Sequence, residues 1–180
     1  VMNMVRDQAP DILCCQEFFS FRKGVSYSKC IEAFAEATGF QYIYYNQKSV
    51  SYGGNVIFSK YPMTKVAEDS GIGKGKSYGI MVEVDAGDKG KFHLANIHLL
   101  SYKITDDEID ILTHTSDLQN NLDTVGKTVL HKLSFGFQSR SGELQRVFQG
   151  MPLVEGPVIV CGDFNETPMS YVYRQMQKVS

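Results

Sequence analysis

Residues 157–161, Pro-Val-Ile-Val-Cys, make an unbroken apolar run that stops on Gly162-Asp-Phe-Asn165. A short run rich in β-branched residues and closed by glycine suits a strand covered on both faces. Such a strand needs a layer on each side, so the rest of the chain must supply helices, a second sheet, or both.

It supplies both. Residues 1–9, with Val1, Met4 and Val5 on one face, read as an amphipathic helix that Pro10 terminates. Asp11-Ile-Leu-Cys-Cys-Gln-Glu17 reads as a buried strand ending in two polar residues. Ile31, Phe34 and Ala35 recur at helical spacing from Ser28 to Thr38, with Ser28 as the expected cap and Gly39 as the left-handed stop. Strands are expected at Gln41–Asn46 and Gly54–Ser59, the second closed by Lys60-Tyr-Pro-Met63. Ile80–Val84 and Lys91–Leu99 alternate as a hairpin around Asp85–Gly90. A helix is expected from Asp106 to about Lys132, with Leu118, Leu122, Val125 and Val129 as its stripe, and another near Gly142–Gln149. After the apolar run, Thr167 and Pro168 predict a helix start. The glycine-rich Gly71–Gly75 lacks the order of a phosphate-binding loop and reads as a connector.

With 180 residues, 43% of them hydrophobic, the chain can bury one sizeable core and is read as a single unit, residues 1–180. A net charge of −2 excludes the broad cationic field that drives general nucleic-acid binding. Cys14, Cys15, Cys30 and Cys161 have no metal-ligand spacing and are expected as reduced core thiols. No apolar run reaches the roughly 20 residues of a membrane span, and the sequence assigns no compartment.

Three of the predicted strands end in residues a core would not select: Glu17, His98, and Asp163 with Asn165. Side chains alternate along extended backbone, so Asn96 and His98 should point one way, as should Asp163 and Asn165 if the strand continues past Gly162. A carboxylate pair such as Glu17 and Asp163 meets the needs of a hard divalent ion, which leaves its other positions to water and phosphate. Hydrolysis of a phosphoester needs a base for water, donors for developing charge and an acid for the leaving oxygen, chemistries within reach of Asp163, Asn165 and His98. Singly, each has a plainer reading: a solvated glutamate, a structural imidazole, a turn aspartate bonded to backbone.

Taken together and in order, they resemble a known pattern. Asp11-Ile-Leu-Cys-Cys-Gln-Glu17, Gly54-Asn-Val-Ile-Phe-Ser-Lys-Tyr-Pro62, Ala95-Asn-Ile-His-Leu99 and Val158-Ile-Val-Cys-Gly-Asp-Phe-Asn165 resemble four successive motifs of the endonuclease/exonuclease/phosphatase superfamily. Asn165-Glu-Thr-Pro-Met-Ser-Tyr-Val-Tyr173 is similar to a bacterial branch without an assigned substrate. The resemblance implies an α/β fold, a four-layer sandwich of deoxyribonuclease I-like type, with mixed, largely antiparallel sheets flanked by helices. It implies a Mg²⁺- or Mn²⁺-dependent phosphodiesterase or phosphatase with Glu17 as metal ligand and His98, Asp163 and Asn165 as catalytic residues. Arg140 is weighed against a recurrent family arginine, and a solvated helix charge is the expectation for it.

Two parts of the family pattern lie outside these 180 residues: an opening strand with an asparagine ligand and a closing Ser-Asp-His. The chain is therefore expected to hold the middle of the domain, an incomplete sandwich, with little or no activity by itself. Uncovered sheet edges would then invite a homodimer. Lys60, Lys65, Lys74 and Lys76 make only a thin basic cluster, which ranks a small or lipid phosphoester ahead of a nucleic acid as substrate. The alternative is a catalytically inactive domain of the same fold that binds phosphate groups or a protein.

Overall fold

The computed structural model describes residues 1–18, 24–46, 54–69, 79–99, 101 and 118–177. Two sheets lie face to face with helices outside each. Sheet one has the order β1-β3-β2, from β1 (Ile12–Phe18), β2 (Tyr42–Tyr45) and β3 (Gly54–Ser59), all antiparallel. Sheet two has the order β4-β5-β6-β7, from β4 (Met63–Asp69), β5 (Gly79–Asp85), β6 (Lys91–His98) and β7 (Val158–Asp163). Its first three strands are antiparallel, and β7 runs parallel to β6.

Alternation along the strands builds three apolar layers. In β3, Val56 and Phe58 point outward to α1 (Met2–Gln8) and α2 (Tyr27–Thr38), joining Val5, Ile31, Phe34 and Ala35. Ile57 points inward to meet Ile80, Val82, Val84 and Leu94 of the second sheet. Ala95 and Ile97 of β6 point to the far side, against Leu144 and Val147 of α3 (Leu118–Gly150) and Val172 and Met176 of α4 (Tyr171–Met176). The four layers expected from sequence are present.

Local chemistry sets the boundaries, in places differently from the expectation. α2 is capped by Ser26, whose Oγ accepts from Lys29 N, so the cap lies two residues before Ser28; Gly39 stops it at φ 84 as expected. In α1 only Val5 is buried, and Val1 and Met4 are exposed. α4 starts at Tyr171 under a Ser170 cap, because Thr167 and Pro168 are used in a preceding turn, where Thr167 O accepts from Ser170 N. The two helices expected to end near Lys132 and to start near Gly142 are one helix, Leu118–Gly150. Of its expected stripe Val129 is buried, whereas Leu118, Leu122 and Val125 lie outside the described side chains, as do Gly71–Gly75 and the expected start at Asp106. None of the four cysteines is in a disulfide and all are part-buried; contact with Cys161 and burial push the Cys14 thiol up, and burial moves Cys15 to about 11.

The start of β1 is pinned from outside. Lys60 Nζ donates to Ala9 O at 2.9 Å and to Asp11 Oδ1 at 3.2 Å, and Tyr61 Oη reaches Asp11 Oδ2. The Ser-Lys-Tyr-Pro segment thus ties the start of β1 to the end of β3.

Candidate active site

The four singled-out residues meet at one end of the sandwich. His98 closes β6 and Asp163 closes β7, and the two are register partners in the parallel pair. Glu17 reaches across from the other sheet, with its Oε1 3.8 Å from His98 Nε2. Asn165 follows Asp163, and its Nδ2 donates to Leu99 O at 2.8 Å, just past His98.

Backbone irregularities aim two of them. Pairing of β1 with β3 shifts between Cys15 and Phe18, and within this bulge Glu17 is left-handed at φ 51. A bulge re-aims the side chain that strand alternation would otherwise have placed, and non-glycine residues in this region concentrate at functional sites. Asn165 is also left-handed, at φ 49. Strand geometry reaches Asp163 but does not continue to Asn165, the condition that the sequence argument set; instead Asp163 Oδ1 accepts from Asn165 N at 2.9 Å, and this local turn brings the pair together. That turn uses one oxygen of an exposed carboxylate and leaves Oδ2 for the site.

Gly162 is required by close approach. At φ 145, a Cβ there would sit 1.8 Å from Ile97 O, inside the neighbouring strand. The glycine of the Gly-Asp-Phe-Asn segment lets β7 lie against β6 so that Asp163 comes level with His98.

Behind the site a buried polar network joins the sheets. Asn96, fully buried, donates through Nδ2 to Cys15 O at 3.0 Å and Val56 O at 3.2 Å, and accepts at Oδ1 from Gln16 Nε2 at 2.6 Å. Asn55 Nδ2 adds a bond to Asn96 O at 3.4 Å. Asn96 and His98 share a side of β6, as alternation predicts, and both reach toward β1.

Arg140 overturns its sequence-based reading. It is not a solvated charge: its side chain is fully buried in α3, with Nε donating to Glu166 Oε1. Nothing local to Arg140 signals this, because its partner is 26 residues away. Of the four lysines in the expected basic cluster, Lys60 is committed to Asp11, and Lys74 and Lys76 lie outside the described residues.

As a metal site the donor set is sparse and hard. No group of three or more His, Cys, Asp or Glu side chains converges among the described residues. Glu17 and Asp163 offer carboxylate oxygens, which fits an ion held by one or two carboxylates with water and phosphate, and does not fit an all-protein cage.

The Endonuclease/Exonuclease/phosphatase family model matches residues 1–180. The chain belongs to this family. Among solved structures it is similar to an endonuclease/exonuclease/phosphatase protein of Beutenbergia cavernae (TM-score 0.56, 16% identity, 95% of this chain and 44% of that one). It is also similar to a beta toxin of Staphylococcus aureus (TM-score 0.54, 16% identity, 98% and 59%) and to sphingomyelinase C of Streptomyces griseocarneus (TM-score 0.53, 16% identity, 99% and 62%). At such identities the likeness concerns the fold, and the chain spans less than two thirds of the length of each. No curated protein sequence matches it. No described helix is long and apolar enough to cross a membrane.

Proposed function

We propose that the protein containing this chain is a divalent-metal-dependent hydrolase of phosphoester bonds, with Glu17, His98, Asp163 and Asn165 in its site. The observation that carries the reading is the meeting of three strand ends: Glu17 lies 3.8 Å from His98, and His98 is level with Asp163. An apolar sandwich gains nothing from gathering these side chains at one edge; a reaction at a phosphate does.

Glu17, with water and substrate oxygen completing the shell, would hold Mg²⁺ or Mn²⁺, which neutralises charge on the phosphate when bound. A solved beta toxin variant similar in fold carries bound magnesium ions. Asp163 Oδ2 orients the attacking water and takes its proton as the new O–P bond forms. His98, part-exposed on the opposite strand, donates a hydrogen bond to the phosphate and a proton to the leaving oxygen as its P–O bond breaks. Asn165 has a second amide hydrogen beyond the one given to Leu99 O, and it directs that hydrogen to the developing charge.

Relatives by fold include a 2',3'-cyclic phosphatase and a sphingomyelinase, so the fold leaves the ester open. A small or lipid phosphoester ranks ahead of polynucleotide because the basic cluster is thin and one of its members, Lys60, is ion-paired with Asp11. Residues 1–180 alone have little or no turnover in this reading. They pair with a second copy through the edges of β1 or β7, and a monomeric mass by light scattering at high concentration removes that part.

The test is hydrolysis of bis-p-nitrophenyl phosphate and p-nitrophenyl phosphate by the complete gene product with Mg²⁺ or Mn²⁺, beside its Asp163→Ala variant. Metal-dependent turnover lost in the variant supports the hydrolase and separates diester from monoester preference. A folded protein that turns over neither of these, nor plasmid DNA nor phosphoinositides, is instead an inactive phosphate- or protein-binding domain of the same fold.

A further inference from the structure

The Arg140 side chain is 0% exposed and the Glu166 side chain 1% exposed, and the two are ion-paired. Taking two charges out of water is costly, and a well-packed apolar pair of similar volume usually stabilises a fold as well or better. The pair therefore calls for a role other than general stability, and its position supplies one. Arg140 sits on α3, which packs against the outer face of the second sheet. Glu166 is the residue immediately after Asn165.

The turn from Asp163 to Glu166 is held at three points. Asp163 Oδ1 accepts from Asn165 N, Asn165 Nδ2 donates to Leu99 O, and Glu166 Oε1 accepts from Arg140 Nε. The first two bonds are local or reach only to the adjacent strand end. The third ties the turn to a separate layer. Between them stands Asn165 in a left-handed conformation at φ 49, which an unrestrained asparagine leaves readily.

We propose that Arg140 and Glu166 are positioning residues, whose buried ion pair holds the turn so that Asp163 and Asn165 face the phosphoester. The proposal rests on the hydrolase reading for its consequence in turnover. Its structural part, that the pair holds Asn165 in place, is measurable without substrate. Neither residue touches the reacting atoms. A guanidinium suits this task because its planar fork fixes direction as well as charge, which an ammonium does not.

The experiment uses the complete gene product with Glu166→Asp, which keeps the charge and withdraws it by one methylene, and Arg140→Lys, which keeps the charge and loses the fork. Glu166→Gln, isosteric and neutral, gives the same readouts if the first variant does not fold. Two quantities are read: kcat and KM on a p-nitrophenyl phosphoester, and solvent exchange of the side-chain amides of Asn165 and Asn96 by NMR. The expected result is a fall in kcat on the order of 10- to 100-fold with KM close to wild type, together with faster exchange at Asn165 and none gained at buried Asn96. A lowered melting temperature with kcat and Asn165 exchange both unchanged overturns the proposal and leaves a purely structural ion pair. If Asp163→Ala keeps full turnover, the hydrolase reading fails on its own account, and the Asn165 exchange still decides whether the pair holds the turn.

Discussion

The side-chain amide of Asn96, in one sheet, is bonded to the main-chain carbonyl of Cys15, in the other, at 3.0 Å. Asn96 also bonds Val56 O and Gln16 Nε2, so one residue with no exposed surface sets the spacing of the sheets beside Glu17 and His98. Replacing it by leucine keeps the number of side-chain heavy atoms and removes its bonds to both carbonyls and to Gln16 Nε2. A buried polar group left unsatisfied costs about 1–3 kcal/mol, so Asn96→Leu should lose roughly 3 kcal/mol in urea unfolding. A loss under half a kilocalorie per mole would show that the network is dispensable.

Gly162→Ala should be more severe, because the added carbon would overlap Ile97 O and the φ of 145 disfavours any side chain. Relief would require β7 to move away from β6, breaking the level placement of His98 and Asp163. The expected cost is roughly 4 kcal/mol or more, in the exceptional class for single substitutions. Thermal melting of the soluble variant measures it, and a melting point within a few degrees of wild type would contradict the close approach.

The bond from Lys60 holds the carboxyl of Asp11 below its ordinary range. A depressed carboxylate contributes stability that is present above its unfolded value, about 3.9, and is lost as pH falls through the folded value. Lys60→Met should therefore be less stable than wild type at pH 7, by a margin that salt reduces and that closes in acid below pH ~4. Chemical denaturation at neutral and acid pH gives the comparison. A margin that persists unchanged in acid would assign the loss to packing of the lysine stem or to its bond with Ala9 O.

How far the sequence carried the reading depends on the range of the interactions involved. β3 and the hairpin of β5 and β6 were legible because alternation and turn residues are local signals, and the end residues Glu17, His98, Asp163 and Asn165 stood out against apolar runs. β4 was not foreseen: Pro62 suggests a stop, and Met63-Thr-Lys-Val-Ala alternates poorly because the strand bulges between Lys65 and Ala67 at a sheet edge. The single helix α3 reads as two in sequence, with a gap between about Lys132 and Gly142, because this stretch holds Gly136 and glycine is a poor helix former, by about 1 kcal/mol against alanine; burial of Leu144 and Val147 beyond it offsets that cost. Within the site, the residues were legible and their geometry was not. The bulge at Glu17 and the burial of Arg140 are fixed by partners distant in sequence, and the turn at Asn165 combines a local bond to Asp163 with a distant one to Leu99 O.

Glu17 offers a separate test of strain and function. Its side chain is 61% exposed, so little packing is lost on replacement, yet its backbone is left-handed. For a non-glycine residue that conformation costs roughly 1 kcal/mol or more, and asparagine tolerates it best among the others. Glu17→Asn should thus be at least as stable as wild type in EDTA. With Mg²⁺ or Mn²⁺ added, wild type should gain stability in proportion to RT ln(1 + [L]/Kd), and the variant, lacking the carboxylate, should gain little. Melting curves of both proteins across a metal titration separate the two effects. An equal metal-induced shift in both would remove Glu17 from the metal site, and a destabilised variant in EDTA would show that its unusual backbone stores no strain.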